Sequence, residues 1–382
     1  MSVSPKHIKV CHFSSVHNQT DTRVFYRECQ WLAHDFDVTL IAIGKFTGVK
    51  NGVKLIGLPK PANRLKRLWY TTRQVYKLAK QEQADIYHFH DPELIPFAWL
   101  LKLQGKKVVY DVHENVTESL KDKSWLPLKG LFIKLYLWFD ALAARNFSLV
   151  LAEQWYEKVY KYRYPKNAFT LVRNFAPAAL LKPFVNTQRQ VSNNQVRIFY
   201  MGSIDELYCC TAMLESIAIL NKQGIDASLN MIGWCSDQTK ASIEQLPFWE
   251  QIKHKVFLPG FMDVQEGFKH SLNCNLGYSF VSDNLNVSQS FPRKMYEYMH
   301  IGLPVITSGH LLYKNMVETY ATGLYVSSNT AVEIAQTVKA MMQSGEYLNT
   351  LAQNNIQAAQ QHFNWETEYE SLKGLYQNLV KK

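Results

Sequence analysis

Two cations lie at the predicted start of a helix in the second half of the chain. Residues 288–309 read SQSFPRKMYEYMHIGLPVITSG, in which Ser290 is a suitable N-cap and Arg293 and Lys294 follow in the first turn. The amino end of a helix already carries partial positive charge, so carboxylates are the usual residues there. The added cations indicate an anion such as a diphosphate, bound by backbone N–H groups and charged side chains together.

The alternative is a solvated basic first turn with a surface glutamate at Glu297, one turn farther along. The spacing of the apolar residues Met295, Tyr296 and Met299 explains why a helix forms there. It does not explain the cations, so we favour the anion site.

A second set of ionisable residues follows predicted strands in the first half of the chain. Its members are His17, Asp21, Arg23, His88, His90, Asp91, Asp111, His113 and Glu114. A histidine at a strand end is more often a structural hydrogen-bond partner than a catalyst, and Asp21 is equally suited to cap the following helix. The HFHDPE loop suggests a metal site, but adjacent strand residues point to opposite faces, so we expect no metal.

The elements that must position these residues alternate between short apolar runs and amphipathic stretches. Strands are predicted at HIKVCHFS, FDVTLIAIG, ADIYHFH and KKVVYDVHE, each separated from the next by a helical pattern. A polar stretch near 180–195 indicates a linker, after which the alternation resumes. This order predicts doubly wound parallel sheets in two α/β domains, whose ligands bind at the carboxyl ends of strands. We place the domains at 1–185 and 186–363.

The charge is distributed unevenly over the 382 residues. Residues 1–185 carry 28 Lys and Arg against 15 Asp and Glu, whereas the remainder carries 14 against 17. A basic first half indicates a polyanionic partner, either nucleic acid or an anionic membrane. The six cysteines show no metal-ligand spacing, and we interpret them as reduced and buried. Met1–Val10 lacks the pattern of an export leader, and together with the absence of an 18-residue apolar run this predicts a cytoplasmic protein.

Several segments, taken in order, resemble the family-4-type glycosyltransferases of the GT-B fold. They include SSVHNQTDTRVFYRECQWL, KKVVYDVHEN, FPRKMYEYMHIGLPVITS and the closing FNWETEYESLKGLYQNL. The similarity is greatest to bacterial members that assemble capsule, exopolysaccharide or O-antigen. The resemblance implies two Rossmann-like domains facing across a cleft, the first binding the acceptor and the second the nucleotide-sugar donor. It also implies transfer with retention and without a metal or other cofactor, and a C-terminal helix at 364–382 that returns to the first domain.

The resemblance assigns roles to particular residues. It implies catalytic roles for His113, Asp111 and Glu297, with Glu297 also bonding the donor ribose. The implied donor-binding residues are Gly202, Ser203, Ser290, Arg293, Lys294 and Glu297, and the acceptor-binding residues are His17, Asp21, Arg23, His90, Asp91 and Glu114. His90 and Asp91 either bond acceptor hydroxyls or fix their loop. Two parts of the sequence depart from the family pattern. Gln289 stands where relatives carry a glutamate, and Ser203, Tyr208 and Cys209 stand where relatives usually place a phosphate-binding Arg or Lys, often followed by Gly.

Basic and aromatic residues alternate in two segments of the first half, NRLKRLWYTTRQVYKLAK and LKDKSWLPLKGLFIKLYLWFDALAARNF. This composition suits an anionic membrane interface, and no base-reading motif favours nucleic acid. We therefore predict a peripheral enzyme on the inner face of the plasma membrane that extends a polyprenyl-diphosphate-linked glycan. The rival functions are a catalytically weakened GT-B subunit that binds a glycan or partner, a nucleotide-sugar epimerase and an RNA-binding protein.

Overall fold

The structure is a computed structural model that describes residues 8–113, 116–117, 129–189, 194–284, 288 and 293–381. It divides into two compact units. The first comprises Met1–Asn174 and Trp365–Lys382, and the second comprises Phe175–Asn364. The chain therefore passes into the second unit earlier than the predicted boundary at 185, and its last segment belongs to the first unit.

The first unit is built on an eight-stranded sheet in the order β3-β4-β2-β1-β5-β6-β7-β8. Every pairing is parallel except that of β3 with β4. Apolar residues cover both faces of the sheet, as expected for parallel strands that helices enclose. The strands are β1 (Lys9–Asn18), β2 (Asp37–Ile43), β3 (Gly48–Lys50), β4 (Val53–Leu58), β5 (Ile86–Phe89), β6 (Lys107–Val112), β7 (Ser148–Leu151) and β8 (Phe169–Leu171).

The helices of the first unit connect these strands. They are α1 (Thr72–Glu82), α2 (Ile95–Leu103), α3 (Lys129–Asn146) and α4 (Gln154–Arg163), with short turns at Gln30–Leu32, Arg64–Lys66, Arg67–Thr71 and Pro92–Leu94. The segment Val24–Cys29 has wider turns, in which the amide of Glu28 donates to the carbonyl of Arg23, five residues earlier. Such wide turns are found often at functional sites, and this one brings Arg23 and Glu28 together.

The second unit contains a six-stranded parallel sheet in the order β11-β10-β9-β12-β13-β14. Its strands are β9 (Gln195–Met201), β10 (Asp226–Ile232), β11 (Val256–Gly260), β12 (Leu276–Ser279), β13 (Val305–Ser308) and β14 (Gly323–Val326). Its longer helices are α5 (Cys210–Lys222), α6 (Asp237–Glu244), α7 (Arg293–His300), α8 (Leu311–Tyr320), α9 (Ala331–Met341) and α10 (Gly345–His362). Shorter segments lie at Ala178–Leu181, Lys182–Phe184, Glu206–Tyr208, Trp249–Ile252, Lys253–Lys255 and Val264–Lys269.

The last helix, α11 (Trp365–Lys381), packs on the first unit. Its apolar residues recur every three or four positions, at Trp365, Tyr369, Leu372 and Tyr376, and these side chains join the core formed by β1, β2 and their neighbours. Near its start, the carboxylate of Glu368 accepts hydrogen bonds from the backbone and guanidinium of Arg173. Within the described ranges, no helix is both long enough and apolar enough to span a membrane.

Candidate active site

The carboxyl ends of β1, β5 and β6 meet at one edge of the first sheet, because these strands are neighbours. This adjacency brings together the loops that contain His17, His90 and His113. The rings of His17 and His113 lie 4.8 Å apart and those of His90 and His113 lie 5.1 Å apart, measured between centroids. The sequence analysis placed all three residues after predicted strands, and the strand order makes their loops neighbours. Glu114 lies outside the described residues.

Asp111 lies at the centre of this group and is fully buried. Its Oδ1 accepts a hydrogen bond from Nη2 of Arg23 at 2.9 Å, and its Oδ2 lies 3.0 Å from Nε of Arg23 and 2.8 Å from Nε2 of His113. Burial alone would raise the pKa of Asp111, but Arg23 and then His113 hold it well below its ordinary value. The carboxylate is therefore ionised and fixes the orientation of His113.

Arg23 was predicted to bind the acceptor, and in the structure its guanidinium contacts buried groups of the first unit. Its side chain is buried, and the guanidinium also donates to the carbonyl of Val172 and lies 3.0 Å from Oε1 of Glu28. Arg23 therefore contacts two buried carboxylates, those of Asp111 and Glu28, and one backbone carbonyl. We interpret it as the counter-charge beneath the site, because binding a phosphate would break these bonds.

His17 and Asp21 form a half-buried pair, with Nδ1 of His17 3.0 Å from Oδ2 of Asp21. The other oxygen of Asp21 accepts from the backbone amides of Arg23 and Val24, so this carboxylate also caps the helical segment that follows. Burial lowers the pKa of His17, but its hydrogen bond to Asp21 outweighs that effect and raises the pKa overall. Asp21 was predicted either to cap this helical segment or to bind the acceptor. The contacts in the structure are those of a helix cap.

Asp91 fixes its loop and the end of β1. Its Oδ2 accepts from the hydroxyl of Ser14 at 2.8 Å and from the amide of Ser15 at 2.6 Å, while the hydroxyl of Ser15 also donates to Glu93. Asp91 and its neighbour His90 are both buried. Asp91 was predicted either to bond acceptor hydroxyls or to fix its loop. Its contacts with Ser14 and Ser15 are those of a residue that fixes its loop.

Three buried polar residues of this site escaped the sequence analysis as functional candidates. His12, Glu28 and Tyr376 were read only as parts of a strand or helix, whereas His88 was weighed as a member of its loop. One ligand atom each from Glu28, His88, His90 and Asp111 lies within 4.8 Å of the others, a spacing that a metal ion could use. The guanidinium of Arg23 already contacts both carboxylates, so an added divalent cation would meet a fixed positive charge. The absence of a metal stays a prediction.

In the second unit, α7 presents the predicted donor-binding residues beside the end of β9. Lys294 is 8% exposed, and its Nζ lies 4.2 Å from the ring centroid of Tyr208 and 5.0 Å from that of Tyr200. A Cβ added to Gly202 would lie 3.0 Å from this Nζ, so the ammonium group lies against the backbone of the β9 loop. Burial lowers the pKa of Lys294 to about 8, although the nearby carboxylates of Glu297 and Asp205 oppose this shift.

Arg293 and Glu297 bond each other one turn apart on α7. Nε of Arg293 donates to Oε1 of Glu297 at 2.6 Å, with Arg293 partly exposed and Glu297 buried. In the adjacent loop, the hydroxyl of Tyr200 donates to the carbonyl of Ser203. Among the predicted donor-binding residues, Gly202 and Lys294 are therefore in direct proximity, and Arg293 and Glu297 are paired. Ser290, with Gln289, lies outside the described residues.

The β9 loop is held close to the end of β10. The amide of Gly202 donates to the carbonyl of Ile232, and a Cβ at Gly233 would lie 1.7 Å from the carbonyl oxygen of Gly202. Gly233 also has φ of +151°, which favours glycine. The close approach of these two backbones sets the position of the loop against Lys294.

Two family models match consecutive parts of the chain. The model described as Glycosyltransferase Family 4 matches residues 22–177, and the model described as Glycosyl transferases group 1 matches residues 184–358. Together they span most of the chain and leave out residues 1–21, 178–183 and 359–382. The chain is a family-4-type glycosyltransferase of the GT-B fold. Among curated proteins, none matches this glycosyltransferase in sequence.

Solved structures share the fold of this glycosyltransferase over almost its entire length. Sucrose-phosphate synthase from Thermosynechococcus elongatus aligns with a TM-score of 0.74 at 15% identity, covering 98% of this chain and all of the other. Anabaena Alr3699/HepE in complex with UDP-glucose aligns with 0.71 at 12% identity, covering 97% and 100%. WaaG, a glycosyltransferase involved in lipopolysaccharide biosynthesis, aligns with 0.69 at 13%, covering 95% and 98%. At sequence identities this low, the structural alignments establish a common fold alone.

Proposed function

We propose that this glycosyltransferase moves a sugar from a nucleotide-sugar to a lipid-linked or polysaccharide acceptor, with retention of configuration and without a metal. The acceptor is a polyprenyl-diphosphate-linked glycan of capsule, exopolysaccharide or O-antigen assembly. The donor binds at Lys294 and Gly202 in the second unit, and the acceptor binds in the first unit near His113. The observation that carries this proposal is the buried ammonium group of Lys294 beside the backbone of Gly202.

A diphosphate suits this position for electrostatic reasons. In the described part of the chain, no carboxylate lies within 4 Å of Nζ of Lys294, and two aromatic rings are its nearest partners. A buried ammonium group without a paired anion is costly, so an incoming phosphate would gain a charge-assisted hydrogen bond and relieve the cost of burial. Glu297 has one carboxylate oxygen bonded to Arg293 and offers the other to ribose hydroxyls.

The chemistry we propose needs no protein nucleophile. The leaving diphosphate takes the proton of the incoming hydroxyl on the same face of the sugar, and the enzyme contributes position and electrostatic stabilisation. Asp111 is unsuited to nucleophilic attack because both its oxygens are held by Arg23 and His113. Of Asp111, Arg23 and His113, it is His113, with a side chain 16% exposed, that reaches solvent and can contact the sugar.

A thermal-shift panel of nucleoside diphosphates tests the donor site. HepE of Anabaena was solved with UDP and with UDP-glucose, so UDP is the first ligand to try. A ligand present at 100 times its dissociation constant stabilises a protein by about 2.7 kcal/mol. We expect one nucleotide to raise the melting temperature, and the double variant Lys294→Ala, Glu297→Ala to abolish that increase.

The exposed pair Lys314 and Glu318 on α8 supplies a matched control, because this lysine and glutamate also lie about one turn apart on a helix of the second unit. The variant Lys314→Ala, Glu318→Ala should respond to the nucleotide as the wild type does. An equal response from the Lys294→Ala, Glu297→Ala variant would contradict the proposed donor site.

A catalytically weakened GT-B subunit remains the second candidate, because the ring of Tyr208 covers Lys294 where relatives carry a cation. The two candidates differ in turnover. The enzyme releases nucleoside diphosphate from one nucleotide-sugar in the presence of a lipid-linked acceptor, and the product linkage has the anomeric configuration of the donor. A subunit that only binds releases none from any donor, and an inverted product would contradict retention.

The proposed membrane association is supported by apolar side chains exposed on one side of the first unit. Helix α2 lies between α1 and α3, so the turn before α1 and helix α3 belong to the same side. The exposed large apolar residues are Leu65, Leu68, Trp69 and Tyr70 before α1, Leu100 and Leu103 on α2, and Leu131, Phe132, Leu135 and Trp138 on α3. Basic residues accompany them before and along α1. This combination is typical of surfaces that bind anionic lipid.

Vesicle flotation tests the membrane proposal. We expect the protein to float with vesicles of anionic phospholipid and to remain unbound with zwitterionic ones, because cations supply part of the affinity. Replacing Trp69 and Trp138 by serine should weaken flotation. Trp234→Ser is the control, because Trp234 is exposed to a similar degree, 60% against 64% and 61%, but lies in the second unit. Equal losses from both variants would contradict a specific membrane face.

A further inference from the structure

The last residues of β1 leave the regular ladder of the sheet. Pairing with β5 ends at Phe13, and pairing with β2 is irregular between Phe13 and Asn18. The backbone amides of this stretch therefore need other acceptors, and side chains provide them. The amide of Ser15 donates to Asp91, and the amides of Val16 and His17 donate to Oγ of Ser14. The position of this stretch thus depends on the side chains that bond it.

Glu93, in the short turn after β5, extends this network toward the surface. Its Oε1 accepts from the hydroxyl of Ser15 at 2.6 Å. The same carboxylate faces Arg67, with Oε1 2.9 Å from Nε and Oε2 accepting from Nη2 at 3.0 Å. Both side chains of this ion pair are partly shielded from water, so solvent screens their attraction less than that of a fully exposed pair.

Arg67 belongs to a short helical segment that we call the basic turn, Arg64–Thr71. The large apolar side chains of the basic turn are exposed, at Leu65, Leu68, Trp69 and Tyr70. Within the described chain, Arg67 is the one residue from 65 to 70 whose side chain bonds a loop at the end of a strand. It therefore joins a surface that we propose binds lipid to the end of β1.

His17 lies at the other end of this network. Its Nε2 is 3.8 Å from Oδ1 of Asp91, and its ring centroid is 4.8 Å from that of His113. Glu93 and Asp91 share the hydroxyl of Ser15, which is 2.6 Å from the first carboxylate and 3.3 Å from the second. A displacement of Glu93 would therefore reach His17 through Ser15 and its neighbours.

We propose that Arg67 and Glu93 are positioning residues that fix the end of β1 against the basic turn. When the basic turn rests on a membrane, the pair sets His17 at a defined distance from the lipid surface. This arrangement suits an acceptor whose lipid anchor lies in that surface. The benefit for the acceptor rests on the membrane association proposed above, whereas the effect of the pair on the end of β1 is measurable without lipid.

Hydrogen exchange resolved to single amides by NMR tests the pair in the free protein. The variants are Arg67→Met, which keeps the length of the side chain, and Glu93→Gln, which keeps its shape. Loss of one hydrogen bond of about 1 kcal/mol corresponds to about a fivefold change in a local opening equilibrium. We expect both variants to exchange about fivefold faster at the amides of Ser15, Val16 and His17.

The ion pair of Lys54 with Glu82 supplies the matched control in the same unit. Glu82 likewise accepts from a lysine at 2.9 Å and from a hydroxyl, that of Thr39, but it joins β4 to α1. Lys54→Met and Glu82→Gln should leave the three amides of the β1 end unchanged. Exchange at wild-type rates in Arg67→Met and Glu93→Gln would overturn the positioning role. Equal acceleration throughout the first unit would also overturn it, because that result indicates general destabilisation.

Vesicles of phosphatidylglycerol test whether lipid binding reaches the end of β1. In the wild type we expect bound vesicles to slow exchange at the same three amides, because an immobilised basic turn restrains Arg67. Glu93→Gln leaves every cation of the basic turn in place, so it should float as the wild type does but lose the slowing.

Equal slowing in the wild type and Glu93→Gln, or no slowing in a wild type that floats, would overturn the transmission through this pair. A merely structural ion pair would leave the response to lipid unchanged. A wild type that does not float would overturn the membrane association alone, because exchange in the free protein tests the pair separately.

Discussion

Replacing Lys294 by methionine should stabilise the empty protein and weaken nucleotide binding. Burial lowers the pKa of this residue from an ordinary value of 10.5 to about 8, and each unit corresponds to 1.36 kcal/mol. Keeping the charge buried at neutral pH therefore costs about 3 kcal/mol. Methionine has similar length and no charge, but it loses the cation–π contacts with Tyr200 and Tyr208, worth about 1–2 kcal/mol. We expect a net gain of about 1–2 kcal/mol in the unfolding free energy.

The same charge should be needed for the ligand. A hydrogen bond to a charged group contributes about 1.5–3 kcal/mol, so Lys294→Met should weaken the binding of the preferred nucleoside diphosphate by about 10- to 100-fold. Stabilisation of the empty protein and loss of binding would thus come from one substitution. That combination distinguishes a functional charge from a structural one, because loss of a structural charge would also lower stability.

The pH dependence has a definite sign. Between about pH 8 and 10.5 the unfolded chain holds the Lys294 proton and the folded chain has released it, so stability of the empty wild type rises with pH across this window. Binding changes in the opposite direction, because the phosphate requires the ammonium form. The affinity of the wild type for the nucleotide should fall about tenfold for each pH unit above about 8, because the fraction of Lys294 in the ammonium form falls by the same factor.

Calorimetric titration with the nucleotide and thermal melting, both recorded from pH 7 to 10, measure these effects. Lys314→Met is the control, because Lys314 also lies over a tyrosine ring, that of Tyr325, but is exposed. This variant should bind as the wild type does. If Lys294→Met binds nucleotide as tightly as the wild type, or if its melting temperature falls, the electrostatic reasoning fails.

Three further predictions concern the framework and the metal. Gly233→Ala should unfold the second unit or cost about 4 kcal/mol or more, because its Cβ would meet the carbonyl of Gly202 at 1.7 Å, and circular dichroism melting checks this. Glu368→Gln should lower stability by about 1–2 kcal/mol in chemical denaturation, since it removes the negative charge that accepts hydrogen bonds from the partly exposed guanidinium of Arg173. Chelation by EDTA should leave the transfer rate unchanged, and a loss that Mn²⁺ restores would contradict metal independence.

The sequence predicted the two α/β units because their elements depend on local patterns. Apolar runs separated by amphipathic stretches specify parallel strands and helices without reference to distant residues. The cations on α7 were visible for the same reason, since a helix start is defined by a few consecutive residues. The position at which the first unit ends was harder to predict from the sequence, because composition does not change sharply between Asn174 and residue 185.

The roles of single polar residues were harder to predict. Arg23 follows a strand, as a ligand-binding residue would, yet it lies beneath the site between Asp111 and Glu28. Whether a side chain after a strand faces ligand or interior depends on what packs over it. In this chain the wide helical turn after Arg23 determines that outcome, and its hydrogen-bond pattern has no clear signature in sequence.

By itself, the sequence determined the alternation of strands and helices, the family resemblance and the position of Lys294 on its helix. Periodicity and helix-end chemistry are local, so neighbouring residues suffice to specify them. Only the tertiary structure decided that Tyr376 bonds His12 and His88 and that Lys294 lies against two tyrosine rings. These contacts join residues far apart in the chain, and their free energy depends on packing and desolvation that no short segment encodes.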